Sequence, residues 1–279
     1  MRIIQEYYDQ TWNDYRWLWL NRENLAFHFG YHDGSARTHR EALSNANRVL
    51  AKLAFVREGS LVLDAGCGVG GSSQWFARAL GAKAIGLTLV RSQAVRACRS
   101  AKLAGLGSRV AVLQADYTAV PLRAGTFDAV VALESLCHAS EKRNFYGEAA
   151  RVLRPGGRLV VAEYMRTDRS LSAEGEETVR QWLDGWAIPD LDTSAEHNGH
   201  ALEVGLSDVE VRDFTSLVAP SLHRLHRLAS TTYPLAILAR LLRIRSDVQH
   251  GNVVAAIRQY EALRRGYWRY GVLTATKPA

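Results

Sequence analysis

The middle of this chain alternates short apolar runs, rich in β-branched residues, with runs of helical periodicity. We predict strands at 61–65, 82–87, 109–114, 127–133 and 158–164. We predict helices between them at 71–80, 91–104 and 141–152, and a turn at RPGG (154–157) ahead of the fifth strand. Such alternation is typical of βαβ units, and continuous apolar strands indicate a parallel sheet that is covered on both faces. The fold class is therefore predicted to be α/β.

Two more strands, at 207–214 and 270–277, would extend the sheet to seven. Largely helical segments lie outside it. We expect a helical N-terminal arm at 1–55, and then one domain at 56–279 with helical cap insertions at about 168–203 and 215–269. These segments can pack over the carboxyl ends of the strands, where open α/β sheets bind ligands.

The composition excludes several classes of protein. The chain has 279 residues, of which 47% are hydrophobic and 23% charged, as in an ordinary globular protein. No apolar run reaches the length of about 18 residues that a spanning helix needs. The cysteines, three in number, lack metal-ligand spacing, so we expect neither a disulfide framework nor a metal site. The first residues lack the apolar core of a signal peptide, and we expect a cytoplasmic protein.

The charge is uneven along the chain. Residues 221–279 carry ten Lys or Arg and two acids, whereas 168–197 carry eight acids and two Arg. A basic segment can contact nucleic acid, anionic lipid or a phosphorylated ligand, or it can be a solvated helical face. Without a nucleic-acid module or a base-reading motif, we expect no nucleic-acid partner and at most peripheral membrane contact. A basic lid could also hold a diphosphate, whose Mg²⁺ the acids of 168–197 could bind.

A glycine-rich stretch follows the first predicted strand. In LDAGCGVGG (63–71), Asp64 ends the strand and glycines lead into the next helix. Glycine permits a sharp turn and a close approach of ligand to backbone, and the helix offers free N–H groups. A purely structural turn would have the same pattern. Because the acid precedes the glycines, the order differs from the dinucleotide-binding fingerprint.

The order D-x-G-x-G-x-G after a first strand resembles the class I S-adenosylmethionine-dependent methyltransferases. LQADYTAVPL (113–122), FDAVVALESLCH (127–138) and RVLRPGGRLVV (151–161) also resemble segments of that family, in order and spacing. The resemblance covers roughly 60–165 and implies a Rossmann-like seven-stranded sheet with S-adenosyl-L-methionine as cofactor. It implies cofactor contacts at Tyr8, Asp64, Gly66, Gly68, Thr88, Leu89, Gln93, Asp116, Tyr117 and Leu133.

The second predicted strand ends without the acid that usually holds a nucleotide ribose. GLTLVRSQ (86–93) has Thr88 there and Gln93 five positions later. It resembles the G-[IVL]-T-[LI]-S-x-x-Q segment of a branch that includes cyclopropane fatty-acid synthases and tocopherol methyltransferases, with Val90 in place of the usual Ser. A Thr hydroxyl and a Gln amide can satisfy ribose hydroxyls without adding a charge. The absence of the acid therefore indicates this branch of the family and does not exclude binding of the cofactor.

Catalytic residues are suggested by ALESLCHAS (132–140), which resembles segments of sterol C-methyltransferases and tocopherol methyltransferases. If a helix begins at Glu134, Glu134 and His138 share one of its faces. Alkylation of an alkene carbon creates a carbocation and then releases a proton, which a carboxylate can stabilise and a Glu or His can accept. The alternative is that Glu134 caps a helix and His138 is a hydrogen-bonded core residue.

The N-terminal segment 7–34 resembles the arm that closes over cofactor and substrate in the same branch. Its aromatic rings suit a cation, and we predict acceptor contacts at Trp12, Trp19, Phe27 and Tyr31. The alternative is that such rings pack the arm against the core. An arm of this kind could also exchange between subunits of a homo-oligomer.

The resemblance implies an S-adenosylmethionine-dependent methyltransferase of natural product biosynthesis. We expect methyl transfer to carbon of a hydrophobic isoprenoid or terpenoid, which can be coupled to carbocation rearrangement or cyclisation. The alternative is O- or N-methylation of a hydrophobic natural product, with His138 as the base. Two further readings, an RNA methyltransferase and a non-catalytic cofactor-binding protein, fit the motifs less well.

Overall fold

The computed structural model describes residues 2–18 and 24–279, and its centre is one seven-stranded sheet. The strands are β1 (Leu61–Ala65), β2 (Lys83–Thr88), β3 (Val110–Gln114), β4 (Phe127–Leu133), β5 (Leu153–Arg166), β6 (Ser207–Asp213) and β7 (Trp268–Thr276). Their order is β3-β2-β1-β4-β5-β7-β6, and β7 is antiparallel to both of its neighbours, whereas the other pairs are parallel. The predicted α/β class and seven-stranded sheet are confirmed.

Helices cover the faces of the sheet and the carboxyl ends of its strands. They are α1 (Arg2–Leu18), α2 (His39–Leu53), α3 (Gly71–Leu80), α4 (Arg91–Leu103), α5 (Lys142–Val152), α6 (Ala173–Gly185), α7 (Ser194–Glu203), α8 (Thr215–Leu241) and α9 (Asp247–Arg264). Helices α6 and α7 follow β5, and α8 and α9 join β6 to β7, within the segments predicted as cap insertions. Within the described ranges, no helix combines the length and apolarity required to cross a bilayer.

The fifth strand differs from its prediction. It begins at Leu153 rather than at 158, and the RPGG segment lies inside it instead of forming a turn ahead of it. The pairing of β5 with β4 shifts register between Phe127 and Ala129. Gly156 has a φ of +73° and donates its N–H to the carbonyl of Lys277 over 2.8 Å. The segment is an irregular part of the sheet, which glycine permits because it adopts a positive φ at little cost.

Strand β4 illustrates why these strands are continuously apolar. Val130 and Ala132 belong to one buried cluster, and Ala129 and Val131 belong to another. Since successive side chains of a strand point to opposite faces, both faces of β4 are covered. The sheet can therefore hold polar groups at the ends of its strands without exposing its centre.

Helix α1 lies across the carboxyl ends of the strands. Gln5 donates a hydrogen bond to the carbonyl of Leu89, just after β2, over 3.0 Å, and Ser92 of α4 donates to Asp9 over 2.5 Å. Further along the helix, Asp14 forms an ion pair with Arg245, before α9, with an N–O distance of 2.7 Å. These contacts make α1 a cover that extends from the end of β2 to the turn between α8 and α9.

Candidate active site

The glycine-rich loop after β1 is in close contact with the end of β4. Gly66 has a φ of +91°, and a Cβ added there would lie 2.2 Å from Cβ of Ser135. Ser135 donates its hydroxyl to the carbonyl of Ala65 over 2.6 Å, which holds the two strand ends together. Only glycine fits position 66, because both the backbone angle and the available space exclude a side chain.

Asp64 is buried at the end of β1. Its carboxylate accepts a hydrogen bond of 2.6 Å from the hydroxyl of Ser73 in α3, and burial raises its pKa to about 6. Helix α3 begins at Gly71, and its N-cap Gly70 provides no side-chain hydrogen bond. The N–H of Ser73 also donates to this carboxylate, so two hydrogen bonds hold Asp64 against the first turn of α3.

A cavity of about 90 Å³ lies over the loop, enclosed by the ends of β1, β2 and β4 and by α1. Its lining includes the predicted cofactor residues Tyr8, Asp64, Gly66, Gly68, Thr88, Leu89, Gln93, Tyr117 and Leu133. Asp116 is not part of this lining. It follows β3 and accepts hydrogen bonds from the N–H and hydroxyl of Thr118, over 2.8 and 2.7 Å.

Thr88 and Gln93 interact directly at the place of the missing acid. The Thr88 hydroxyl donates to Oε1 of Gln93 over 2.7 Å and accepts a hydrogen bond from the N–H of Val90 over 3.1 Å. Both side chains are buried and line the cavity. They provide a neutral polar surface where related folds have a carboxylate.

His28 also lines this cavity, although it was not among the predicted cofactor contacts. Its Nδ1 lies 2.9 Å from the carbonyl of Phe29, so Nδ1 carries the proton and Nε2 is an acceptor. Nε2 is buried and has no hydrogen-bond partner among the described residues. Burial lowers the pKa of His28 to about 4, so the ring is neutral near pH 7. A buried acceptor without a partner fits a ligand that donates a hydrogen bond.

A second cavity of about 380 Å³ lies beside the first. Its lining is mostly apolar and aromatic, and comes from α1, the end of β5, α8 and α9. Both cavities are lined by Tyr8, Tyr15, Phe27, Glu134 and His138. These side chains form the shared wall, across which groups bound in the two cavities would meet.

Glu134 is the carboxylate of the shared wall. It has a φ of +50°, and its side chain accepts hydrogen bonds from the N–H of Phe29 (2.9 Å) and the hydroxyls of Tyr164 (2.6 Å) and Tyr270 (2.8 Å). Burial raises its pKa to about 8, although the three donors act in the opposite direction. A cation in either cavity would favour the ionised form.

His138 is the second titratable group of the shared wall. Its Nδ1 lies 3.2 Å from the carbonyl of Ala187, and its Nε2 lies 3.0 Å from the hydroxyl of Tyr8. Because a carbonyl only accepts, Nδ1 carries the proton and Nε2 accepts from Tyr8. Burial lowers the pKa of His138 to about 4, so the neutral ring is the form present near pH 7.

The helix that was predicted to begin at Glu134 is absent from this part of the described chain. Glu134 has a left-handed backbone conformation, and a single 3-10 turn, Leu136–His138, follows it. The prediction of a helical face shared by Glu134 and His138 is therefore wrong. The two side chains nevertheless line the same cavities, because the chain folds sharply at the end of β4.

The aromatic residues of the arm that were predicted to contact the acceptor lie in different places. Phe27 belongs to the shared wall, whereas Trp12 lies under the guanidinium of Arg96, 4.0 Å from the ring centroid, and outside both linings. Tyr31 is fully buried and its hydroxyl lies 3.4 Å from that of Tyr270, so its ring packs the segment after α1 against the sheet. Trp19 lies outside the described residues.

Three tyrosines of the candidate site were not identified from the sequence. Tyr15 of the shared wall is in the same aromatic run as Tyr8, which was a usable signal. Tyr164 ends the predicted fifth strand, and a polar side chain at the carboxyl end of a parallel strand is a general sign of a ligand site. Tyr270 carried no such signal, since it lies near the start of β7 and reaches Glu134 only through the fold.

Six of the eight acids of 168–197 form ion pairs with arginines. Arg169 pairs with Asp190, Asp192 and Glu196 at N–O distances of 2.5 to 3.2 Å. No group of three His, Cys, Asp or Glu residues with metal-binding geometry occurs within 2–18 and 24–279. Arg245 lines the larger cavity, but its guanidinium is paired with Asp14. This arrangement gives no support to a Mg²⁺-bound diphosphate held between these segments.

The sheet order, the glycine loop after β1 and the polar ends of β2 and β4 are those of the class I methyltransferase fold. A family model described as a methyltransferase domain matches residues 63–161. The chain belongs to the class I S-adenosylmethionine-dependent methyltransferases, which confirms the predicted enzyme class and cofactor. The lining of the small cavity suits this cofactor, because it includes the glycine-rich loop, a buried carboxylate and the Thr88–Gln93 pair.

Among characterised proteins, 24-methylenesterol C-methyltransferase 2 of Oryza sativa subsp. japonica is 32% identical over 213 residues. This match covers 76% of the chain but 57% of the relative, so the chain spans little more than half of that protein. Tocopherol O-methyltransferase of Arabidopsis thaliana, a chloroplastic protein, is 28% identical, with 99% of the chain and 82% of the relative covered.

A solved structure of a cyclopropane synthase from Mycobacterium tuberculosis has the same fold. It superimposes with a TM-score of 0.85, covering 99% of this chain and 98% of the synthase, at 17% sequence identity. At this identity the likeness concerns the arrangement of helices and strands, and not the substrate.

Proposed function

We propose that this protein transfers a methyl group from S-adenosylmethionine to a carbon atom of a hydrophobic isoprenoid or terpenoid acceptor. The observation that carries the proposal is Glu134, a buried carboxylate on the wall between the cofactor cavity and an apolar, aromatic cavity. A carboxylate in this position suits a reaction in which positive charge develops on an apolar molecule.

The chemistry assigns a task to each part of the wall. Bound in the small cavity, S-adenosylmethionine would supply an electrophilic methyl group to the π electrons of an acceptor alkene and would leave as a neutral thioether. The acceptor then carries a positive charge, which the carboxylate of Glu134 and the faces of Tyr15 and Phe27 stabilise. Loss of a proton to Glu134 or His138 restores a neutral alkene.

The larger cavity supports a hydrophobic acceptor. Its volume of about 380 Å³ is within the usual range of small-molecule sites, and its lining is mainly apolar. The rice relative that is 32% identical is named as a sterol C-methyltransferase. A sterol is an isoprenoid, and the name states that carbon receives the methyl group. A cation formed in an aromatic cavity can also be captured by a second alkene, so cyclisation of the methylated product belongs to the proposal.

The alternative is O- or N-methylation of a hydrophobic natural product, which one feature of the wall favours. His138 is neutral, and its Nε2 accepts a hydrogen bond from Tyr8. A hydroxyl or amine that replaced the Tyr8 donor could pass its proton to Nε2 as the methyl group arrives. The Arabidopsis relative is named as an O-methyltransferase.

The test is a product analysis with S-adenosylmethionine that carries a ¹³C-labelled methyl group. The acceptors would be prenyl diphosphates, sterols, prenylated aromatics, phenols, amines and tRNA, and NMR would locate the label. Label on a carbon of an isoprenoid is the expected result, and loss of alkene signals would reveal cyclisation. Label on oxygen or nitrogen would favour the alternative, and label on tRNA would overturn both.

A further inference from the structure

Helix α8 and the turn after it expose apolar side chains, most of which lie on the side away from the larger cavity. The α8 patch, as we name it, consists of Leu235, Ile237, Leu238, Leu241, Leu242 and Ile244. The exposed fractions of these side chains range from 39% to 75%. Exposed apolar side chains that are clustered in this way usually mark an interaction site.

The opposite face of α8 forms part of the wall of the larger cavity. Leu228, Ala236 and Ala239 line the larger cavity, and Leu235 both lines the cavity and is 69% exposed. A helix that is apolar around most of its circumference is normally covered on both sides. An ordinary lid would present a polar outer face to water, so the outer apolar residues of α8 require a partner.

The charge around the patch indicates what kind of partner this is. Residues 233–246, which include the patch, contain three arginines and no acid, and one of them, Arg245, is paired with Asp14. Arg243 is exposed within the patch, and Arg240 beside it contacts Asp247 of α9 over 2.8 Å. Apolar side chains that enter a lipid layer, bordered by cations that contact its headgroups, are the composition of an interfacial helix.

We propose that the α8 patch docks on an anionic lipid surface. A second copy of this chain is a poorer partner, because a symmetric contact would bring the arginines of both patches together. Nucleic acid is also a poorer partner, since it would engage the arginines and leave the leucines exposed. A lipid layer satisfies both kinds of side chain.

The position of the patch connects docking with the acceptor, a consequence that rests on the proposed function. Leu235 joins the outer face of α8 to the larger cavity, so a bilayer in contact with the patch lies next to the cavity wall. An isoprenoid dissolved in that bilayer could enter the cavity without crossing water.

Docking is testable without an acceptor, so its failure is distinguishable from failure of the proposed function. The protein would be sedimented with vesicles of phosphatidylcholine alone and with vesicles of an equal mixture of phosphatidylcholine and phosphatidylglycerol. We expect binding to the anionic vesicles that weakens as salt is added, and little binding to the neutral ones.

A matched pair of double variants separates the patch from general hydrophobicity. Leu238→Ser/Leu242→Ser removes two exposed leucines of the patch, and Leu103→Ser/Leu202→Ser removes two exposed leucines from α4 and α7. Because an inserted leucine contributes most of its transfer free energy, the patch variant should bind at least about tenfold more weakly, and the control like the wild type. Arg243→Gln should reduce the preference for anionic vesicles.

Three results would overturn the proposal. They are equal binding to neutral and anionic vesicles, undiminished binding of the patch variant, and the absence of vesicle binding by the wild type. Size-exclusion chromatography provides the remaining comparison: a dimer that the patch variant converts to a monomer would assign the patch to a contact between copies of the chain.

Discussion

At the scale of single residues, Glu134 experiences opposing effects. Burial raises its pKa to about 8, while hydrogen bonds from Phe29, Tyr164 and Tyr270 favour the ionised form. The three donors hold both carboxyl oxygens in a fixed orientation at the shared wall. Such hydrogen bonds are strongest when the carboxyl group is ionised, which indicates more than a space-filling role. The residue is therefore prepared to become an anion when a cation arrives.

Glu134→Gln tests this role. The amide keeps the shape of the side chain but cannot carry a negative charge, so we expect kcat to fall about 100-fold or more while S-adenosylhomocysteine binds as in the wild type. Calorimetry and single-turnover methyl transfer would measure the two quantities. Glu203→Gln, which alters an exposed acid of α7, is the control. Full kcat in the Glu134→Gln protein would remove Glu134 from the catalytic residues.

At the scale of elements, α1 connects the two cavities. Tyr8 and Tyr15 line both of them, and Gln5 and Asp9 attach the helix to the segment that follows β2. Since the arm covers the cofactor cavity, its attachment and the retention of the cofactor should be coupled.

The double variant Gln5→Ala/Asp9→Ala tests this coupling. It removes two hydrogen bonds between α1 and the β2–α4 region, each worth about 1 kcal/mol, so we expect S-adenosylhomocysteine to bind up to about 30-fold more weakly. Glu6→Ala is the control, because Glu6 accepts its hydrogen bond from Gln10 of the same helix. Calorimetric titration would compare the three proteins, and an unchanged affinity of the double variant would mean that the arm does not retain the cofactor.

Prediction from sequence succeeded for elements whose pattern is local. Strand β1 and helix α3 have their predicted bounds, because a strand covered on both faces is apolar throughout and glycines border the helix. It failed at RPGG and at Glu134, where a register shift and a positive φ at a non-glycine residue replace the expected turn and helix. Both features depend on neighbouring strands, and neither leaves a periodic signal.

At the scale of the whole molecule, burial of titratable groups couples stability to pH. Glu134 is one such group, since burial raises its pKa from 4.5 to about 8. The unfolded chain releases this proton at lower pH than the folded chain. The contribution of Glu134 to stability is therefore complete below pH 4.5 and is lost as the pH rises towards about 8.

The comparison with Glu134→Gln isolates this effect from the buried histidines, whose lowered pKa values act in the opposite direction. The free energy of unfolding of the wild type, relative to that of the variant, should fall by several kcal/mol between about pH 5 and about pH 8. Urea unfolding in that range would measure the difference. A difference that stays constant with pH would show that Glu134 titrates in the folded protein as it does in water.

The strands, the glycine loop and the polar end of β2 could be predicted from the sequence alone, because each depends mainly on residues close together in the chain. Gly66 is required by its own backbone angle, and Thr88 reaches Gln93 within one turn of the following helix. The tertiary structure alone decided the environment of Glu134. Tyr164 and Tyr270 reach it from positions 30 and 136 residues away, so their effect on its charge exists only after β5 and β7 have paired.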